Sequence, residues 1–536
     1  MLTPRQKILW FAFTSRIFII CLQVVFNLFV PDHNAHVFIS PLDPDITVSW
    51  PDRAVDLILG GLKRWDAHYF LHISQYGYTY ENCLAFFPLF PLTVRYLAYI
   101  FSYIIGSLFN FHSLLMISAT ILNIFYFVKS ADALHRLSLK VLKSESLAYK
   151  ASILYCINPG SIFFTAPYSE SLFAWLSFQG MLRCTEMETL RFTNIDILSS
   201  IPIGLSLVTR SNGILNLGFI LYASFKNVIE KTLPEIFHRY RTLRYRILTP
   251  LLSWPLVASV MALVLTLVLS VLPFLLIQVY NYIKFCIPHE HNLPQHLIEG
   301  EWILPGQAKG EWCNSSLPVA YSYVQKHYWN VGFLKYYHWK QIPNFILATP
   351  ILVIILYNCY KFLRQHLRHS LKLGISVARF QRTISYDSAA SRSIRSSKIN
   401  STYTYDPDMF VYVVHGLFLA LFCLFFVHVQ VTTRMLASAS PLLYWFMALR
   451  IKATPSKMAE QNHINEHFRK IGASGRISGD YFAIANLEGI NNMCSKWKTF
   501  VLSNNFPDVT FKLTKLYFLG YFFIGTVCFC NFFPWT

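Results

Sequence analysis

Asp66 is the residue of this chain best suited to do chemistry. It lies in the run 57–76, Leu-Ile-Leu-Gly-Gly-Leu-Lys-Arg-Trp-Asp-Ala-His-Tyr-Phe-Leu-His-Ile-Ser-Gln-Tyr, which is too polar for a bilayer span. At helical spacing Ile58, Leu62, Trp65, Tyr69, Ile73 and Tyr76 share one face. That pattern predicts an amphipathic helix lying in a membrane interface. Advancing about 100° per residue puts Asp66 inside the apolar arc, between Leu59, Leu62, Phe70 and Ile73, with Lys63 at its edge. A carboxylate in such an arc costs free energy unless it is paired, so it is a functional candidate, with a salt bridge or a helix cap as the plainer reading. Burial there is expected to raise its pKa, which suits a general base.

Other charged groups also interrupt apolar sequence. Glu81 closes the stretch Gly77-Tyr78-Thr79-Tyr80-Glu81, just before the aromatic, proline-rich 85–91 re-enters the bilayer. Arg210 interrupts the apolar run 196–224, and an arginine inside a membrane is rarely free. Glu170 stands beside Tyr168 in an otherwise apolar hairpin, and His428 and Arg434 flank Gln430 where a span ends. For each cation a structural ion pair or snorkelling is the simpler alternative.

Long apolar segments must position these groups. Of 536 residues, 54% are hydrophobic, 17% aromatic and only 14% charged. A soluble domain carries about 25% charged residues, so a soluble enzyme, a disordered chain and a coiled coil are all excluded. Eleven cysteines are too sparse for a disulfide scaffold. Candidate spans of roughly 20 residues lie near 8–30, 88–108, 111–130, 147–165, 168–184, 196–224, 251–282, 343–360, 407–428, 435–449 and 515–534. These runs lack the two-residue alternation of a β-barrel. The chain is expected to be an all-α polytopic membrane protein with about 9–11 transmembrane helices, its amphipathic helix in the first non-cytoplasmic loop. Arg16, near the start of the first span, is expected to snorkel to the cytoplasmic face, and that span reads as a retained anchor.

The net charge of +19 would suggest nucleic acid in a soluble protein. Here its distribution reads as topology. Residues 226–246 hold six basic against two acidic side chains, and 361–398 nine against one. Both loops are expected to be cytoplasmic, as is the N-terminus with Arg5 and Lys7. Residues 31–86 hold seven acidic against three basic residues and should face the other side, together with 284–342. One stretch conflicts: five spans between 88 and 224 would put the basic 132–150 segment on the acidic side unless one of them is re-entrant or half-length. The Ser-rich basic stretch 365–403 reads as a disordered cytoplasmic linker and 450–512 as a cytoplasmic polar segment.

Arg64-Trp65-Asp66-Ala67, Gly77-Tyr78, Glu81 and Ala85-Phe86-Phe87-Pro88-Leu89-Phe90-Pro91 resemble the signature of the GPI mannosyltransferase 2 family (PIG-V type). Further stretches agree in order: Asn158-Pro159 through Tyr168-Ser169-Glu170-Ser171; Thr209-Arg210-Ser211-Asn212-Gly213; Tyr328-Trp329-Asn330 with Pro343-Asn344-Phe345; His428 to Arg434; and 531–536. The resemblance covers the chain from first span to last, except 365–403 and 450–512.

The resemblance implies a single glycosyltransferase-C domain in the endoplasmic reticulum membrane, with 31–86 as its catalytic lumenal loop and 284–342 as a second. It implies transfer of the second, α1,6-linked mannose from dolichol-phosphate-mannose to a glycosylphosphatidylinositol precursor. The reaction would invert the anomeric carbon, with Asp66 as base, Trp65 as its functional neighbour, and neither a metal nor another cofactor. Arg210, Arg434 and His428 are then phosphate-site candidates, and Glu81, Glu170 and Gln430 substrate-binding candidates. Glu170 is open between partner of Arg210 and sugar ligand. The aromatics of 284–342 could cover a glycan or form an interfacial belt. Asn314-Ser315-Ser316 is a glycosylation sequon on the lumenal side, Asn400-Ser401-Thr402 one that should stay unmodified, and a Cys83–Cys313 disulfide is conceivable. An accessory membrane subunit is left open. The alternatives are another dolichol-phosphate-mannose enzyme with a different acceptor, a secondary transporter coupled through Asp66 and Arg210, and a non-catalytic scaffold.

Overall fold

The computed structural model describes residues 2–187 apart from 36 and 42, 197–236 apart from 235, 253–375 apart from 291, 292 and 299–301, 405–451, and 509–535. Most of 365–403 and 450–512, Asn400, and Arg239 to Arg246 lie outside the described residues.

The described residues are helical, with no strand among them. The chain runs through α1 (Pro4–Phe29), α2 (Trp50–Leu59), α3 (Ala67–Tyr76), α4 (Leu89–Ile105), α5 (Phe111–Leu142), α6 (Glu145–Cys156), α7 (Glu170–Met187), α8 (Ser200–Leu207) and α9 (Leu217–Asn227). It continues through α10 (Trp254–Cys286), α11 (Ala320–Trp329), α12 (Ile342–Gln365), α13 (Phe410–Phe425), α14 (Thr432–Ala439), α15 (Leu442–Arg450) and α16 (Val509–Cys530). Local chemistry sets the starts. Thr3 and Gln6 form a capping box around Pro4, Ser49 and Asp52 another around Pro51, and the Asn110 and Ser144 side chains cap α5 and α6. Among the described residues, α1, α5, α10, α12, α13 and α16 are long and apolar enough to cross a membrane. The other candidate spans are shorter or interrupted, and α6, α7, α14 and α15 bury most of their residues in the bundle.

Contacts assign the helix ends to two sides of the bundle. On one side Arg5 pairs with Asp132 (Nη2–Oδ2 2.9 Å), Lys143 with Asp406 (3.1 Å), and Lys150 donates to the Ile451 carbonyl (2.8 Å). On the other side the Asn110 N–H, at the start of α5, donates to Asp52 Oδ1 (2.9 Å), and Arg64 Nε donates to the Cys530 carbonyl (2.9 Å) at the end of α16. The basic 132–150 segment therefore lies with Arg5, opposite the acidic loop.

This removes the conflict in the charge pattern, and α4 is the reason. It starts where Leu89 N–H donates to the Val208 carbonyl (3.2 Å), and it ends where Ser49 Oγ donates to the Leu108 carbonyl (3.1 Å). Both ends are on the Asp66 side, so 88–108 lies along that side and does not cross. It buries Phe90, Val94 and Ala98 and exposes Leu92, Tyr96, Tyr99, Ile100, Tyr103 and Ile104. That is the amphipathic pattern of an interfacial helix. The run 196–224 is broken at Arg210: α8 leads up to it and α9 leads away, to Tyr222 beside Phe410.

Two further expectations are corrected. The run 57–76 is not one helix. It consists of α2, a 3₁₀ turn at Gly60–Leu62, a bend through Trp65 and then the largely buried α3. Gly61 lets α1 approach, since a Cβ there would come within 2.3 Å of Gln23 Oε1. Arg16 does not snorkel. It is fully buried and donates to the Ser161 carbonyl (Nη1, 2.7 Å) and the Cys156 carbonyl (Nη2, 2.9 Å), with its guanidinium 3.9 Å from the Phe127 ring centre. It satisfies the Cys156 carbonyl left open where α6 ends inside the bundle and ties it to the 3₁₀ turn that starts at Ser161, which makes it more valuable buried than at the surface.

Candidate functional site

Asp66 precedes α3 as its cap residue, with no side-chain capping bond. Its carboxylate is therefore not spent on the helix. The helical wheel fails because Trp65 takes a left-handed φ of 55°, which resets the phase between 62 and 67. Asp66 does not sit in an apolar arc. Its side chain is 32% exposed and its Oδ2 lies 2.7 Å from Arg434 Nη2.

Arg434 comes from the first turn of α14 and joins two carboxylates. Its Nη1 is 3.7 Å from Glu170 Oε1, and its guanidinium sits 5.1 Å from the Phe163 ring centre and 5.4 Å from that of Tyr168. Burial alone would weaken this cation, but Asp66 and Glu170 opposite it hold its pKa above the usual arginine value. Glu170, fully buried at the start of α7, also pairs with Arg210 through Oε1. Of the two roles left open, the structure shows the pairing with Arg210. Its Oε2 is buried and accepts no hydrogen bond from the described residues. Asp66, Arg434, Glu170 and Arg210, which are far apart in sequence, thus form one chain of two acids and two bases. Such an alternation offsets the desolvation of each member, whereas any one of them alone would be costly.

The other candidates take different places. Trp65 packs edge-on to Phe532 (6.0 Å between ring centres), and its indole N–H is buried with no acceptor among the described residues. His428 stacks on Tyr336 (4.6 Å), burial lowers its pKa, and Gln430 lies in the 3₁₀ turn that leads into Arg434. Glu81 is fully buried and accepts from Trp312 Nε1 (2.9 Å) and Tyr328 Oη (2.9 Å). It joins the loop 31–86 to the loop 284–342. The aromatics of the second loop are largely engaged with the first: Trp302 against Phe38, and Trp329 against Tyr69 and Phe86. Tyr321 accepts a hydrogen bond from Ser211, next to Arg210 (2.8 Å). The disulfide is Cys286–Cys313, tying the end of α10 to this loop. Cys83 is a buried free thiol whose pKa burial raises, so the pairing expected for Cys83 is not formed. Asn314, next to the disulfide, is exposed. Among the described residues no group of three or more His, Cys, Asp or Glu could hold a metal ion.

Sequence reasoning did not single out Arg64 or Tyr168. Arg64 donates to Asn27 Oδ1 (2.8 Å) as well as to the Cys530 carbonyl, pairs with Asp32 (3.1 Å), and lies 4.4 Å from the Phe532 ring centre. Tyr168 is fully buried against Asp66. Their place in the sequence motifs was the signal available for both.

The family described as Mannosyltransferase (PIG-V) matches residues 5–536. GPI alpha-1,6-mannosyltransferase 2 of Cricetulus griseus is 33% identical, over 100% of this chain and 99% of that protein. Its counterpart in Homo sapiens is 33% identical over 99% of each. GPI mannosyltransferase 2 of Schizosaccharomyces pombe is 28% identical over 72% of this chain and 64% of its own length. Among solved structures, the oligosaccharyltransferase of Archaeoglobus fulgidus matches 94% of this chain and 57% of its own, at 14% identity and a TM-score of 0.34, a likeness too slight to carry a fold assignment.

Proposed function

The chain belongs to the PIG-V family of mannosyltransferases, and from that premise we propose that it transfers the second, α1,6-linked mannose of a glycosylphosphatidylinositol precursor from dolichol-phosphate-mannose. The secondary-transporter and scaffold readings fall with the family assignment. The observation that carries the proposal is the chain Asp66–Arg434–Glu170–Arg210 at one end of the bundle, on the side where α4 presents an interfacial face. Donor and acceptor are both lipid-anchored, so their sugars meet at that level of the membrane.

The acceptor hydroxyl oxygen attacks the mannose C1 from the face opposite the phosphate, and the configuration inverts. The C1–O bond breaks, its electron pair leaves on the dolichyl phosphate oxygen, and the hydroxyl proton passes to the Asp66 carboxylate. A phosphate leaving group needs no general acid, but it needs cations for its developing charge. Arg434 and Arg210 supply them: an incoming phosphate competes with Asp66 and Glu170 for the two guanidinium groups. When Arg434 turns to the phosphate, Asp66 is released to act as base. The free indole N–H of Trp65 and the free Oε2 of Glu170 are left to bind sugar oxygens.

The active site is read as lumenal and the N-terminus as cytoplasmic in the endoplasmic reticulum. An oxidising lumen suits the Cys286–Cys313 bridge, and the basic segment opposite the site suits the positive-inside rule. The decisive experiment expresses wild type and Asp66→Asn in cells that lack the second-mannose activity. Wild type should restore surface GPI-anchored proteins, and Asp66→Asn should leave a one-mannose precursor. Lack of rescue by wild type would refute the acceptor assignment, and full activity of Asp66→Asn would refute the base.

A further inference from the structure

One hydroxyl group spans the bend that presents Asp66. Trp65 occupies the left-handed region at φ 55°, a conformation that costs a bulky L-residue free energy and persists only where neighbours impose it. Tyr168 Oη lies across this bend. It accepts from the Asp66 N–H (3.0 Å) and donates to the Arg64 carbonyl (3.2 Å). It thus bridges the residues on either side of Trp65. The Arg64 carbonyl also accepts from the Ala67 N–H (3.1 Å), so the same oxygen ties the bend to the first turn of α3.

The anchor itself is closely packed. Tyr168 is fully buried, and its carbonyl accepts from Asn123 Nδ2 (3.1 Å) out of α5. Its ring lies 5.3 Å from Phe163 and 5.7 Å from Phe529. The face of this same ring supports the guanidinium of Arg434. A single side chain therefore meets both halves of the Asp66–Arg434 pair, the backbone of one and the cation of the other.

We propose that Tyr168 is a positioning residue of the transfer reaction: its hydroxyl holds the left-handed bend at Trp65, which aims the Asp66 carboxylate, while its ring seats Arg434. The hydroxyl takes no proton from substrate. It acts through Asp66, so its loss lowers the rate of the chemical step more than it weakens donor binding. This role rests on the reading of Asp66 as base, but the geometry it describes does not depend on substrate identity.

The test uses Tyr168→Phe in the full chain, which keeps the ring and removes one oxygen. Hydrogen–deuterium exchange of the purified protein should rise on the order of tenfold at the amides of Asp66 and its neighbours, as expected when a buried N–H loses its acceptor. The peptide spanning 110–120 serves as control and should not change. Membranes assayed with dolichol-phosphate-mannose should show kcat reduced at least tenfold and KM for donor within about threefold, the pattern of an interaction that matters in the transition state. A background of Trp65→Asn, which tolerates the left-handed region, should reduce the exchange increment caused by Tyr168→Phe. Unchanged exchange at Asp66, an equal increment in both backgrounds, or a loss confined to KM would each overturn the proposal. Wild-type protein inactive on this donor would overturn the functional reading alone, and the exchange cycle would still decide the role of the hydroxyl. If Tyr168→Phe does not fold, Trp65→Asn alone remains informative: the hydroxyl hypothesis requires its exchange at Asp66 to stay at or below the wild-type rate, and a rise would refute it.

Discussion

At Asp66 the partner is a cation, not a hydrophobic wall, and that changes what each substitution at the site should do. Removing the carboxylate's proton-accepting capacity with Asp66→Asn should cost about 10²- to 10⁴-fold in rate with normal expression, measured as mannose transfer in microsomes. Glu170→Gln acts differently. It strips the shared, fully buried anion from two arginines whose side chains are only 14–15% exposed, and breaking a buried pair costs about 3–5 kcal/mol, so it should lower the thermal midpoint in detergent as well as the activity. Arg16 makes the same point in the bundle interior. Arg16→Leu removes the donor of the Cys156 carbonyl and leaves the Ser161 carbonyl only the longer bond from Thr165 Oγ1 (3.5 Å), at about 1–3 kcal/mol for an unsatisfied group. An unchanged melting temperature would show that these carbonyls find other partners. The sequence drew attention to Asp66 through an apolar arc that the left-handed Trp65 breaks, so the residue was named for surroundings it does not have. Its partner could not be read from the sequence, because Arg434 lies on a distant helix and only packing brings it to 2.7 Å.

At the level of elements, α3 is held by neutral histidines. Burial, with Lys63 and Arg64 nearby, lowers the pKa of His68 to about 4, and burial lowers that of His72 to about 3. His72 bridges Ser40 and Thr79 through its two ring nitrogens (2.7 and 2.6 Å). Unfolded, both histidines would take up protons near pH 6.5. The unfolded chain therefore binds more protons below that pH, and stability, full above about 6.5, falls as pH drops toward 4. Melting curves at pH 7.5 and 5.0 should differ in that direction, and His72→Gln should shrink the difference. The disulfide is the other constraint at this scale. It closes a sequence separation of 27 residues, for which chain entropy predicts about 3.5 kcal/mol. Cys286→Ser should make the 284–342 loop more susceptible to limited proteolysis while leaving the bundle intact. The long apolar segments behind α1, α5, α10, α12, α13 and α16 were legible in hydrophobicity. The division of 57–76 was not, because a single left-handed residue changes the phase of a helical wheel without changing composition.

Across the whole molecule, charge and contact agree on two sides. The surplus of +19 collects partly in segments away from the site, while the acidic loop carries Asp66. If that side is lumenal, Asn314, exposed beside Cys313, should carry glycan in cells and shift mobility on deglycosylation, whereas an Asn314→Gln protein should not shift. Glycan absent from wild-type Asn314, with a glycan on an engineered site near Lys143, would invert the orientation. Hydrophobicity by itself determined that this chain is a polytopic helical membrane protein, because about 20 apolar residues have few other uses, and the order of its motifs determined the family. Tertiary structure alone decided that α4 lies along one side while 196–224 turns back at Arg210, since apolar length does not encode direction. It alone also joined Asp66, Arg434, Glu170 and Arg210 into one chain of charges, because a buried ion is tolerable only beside its partner, and sequence does not say which partner the packing will supply.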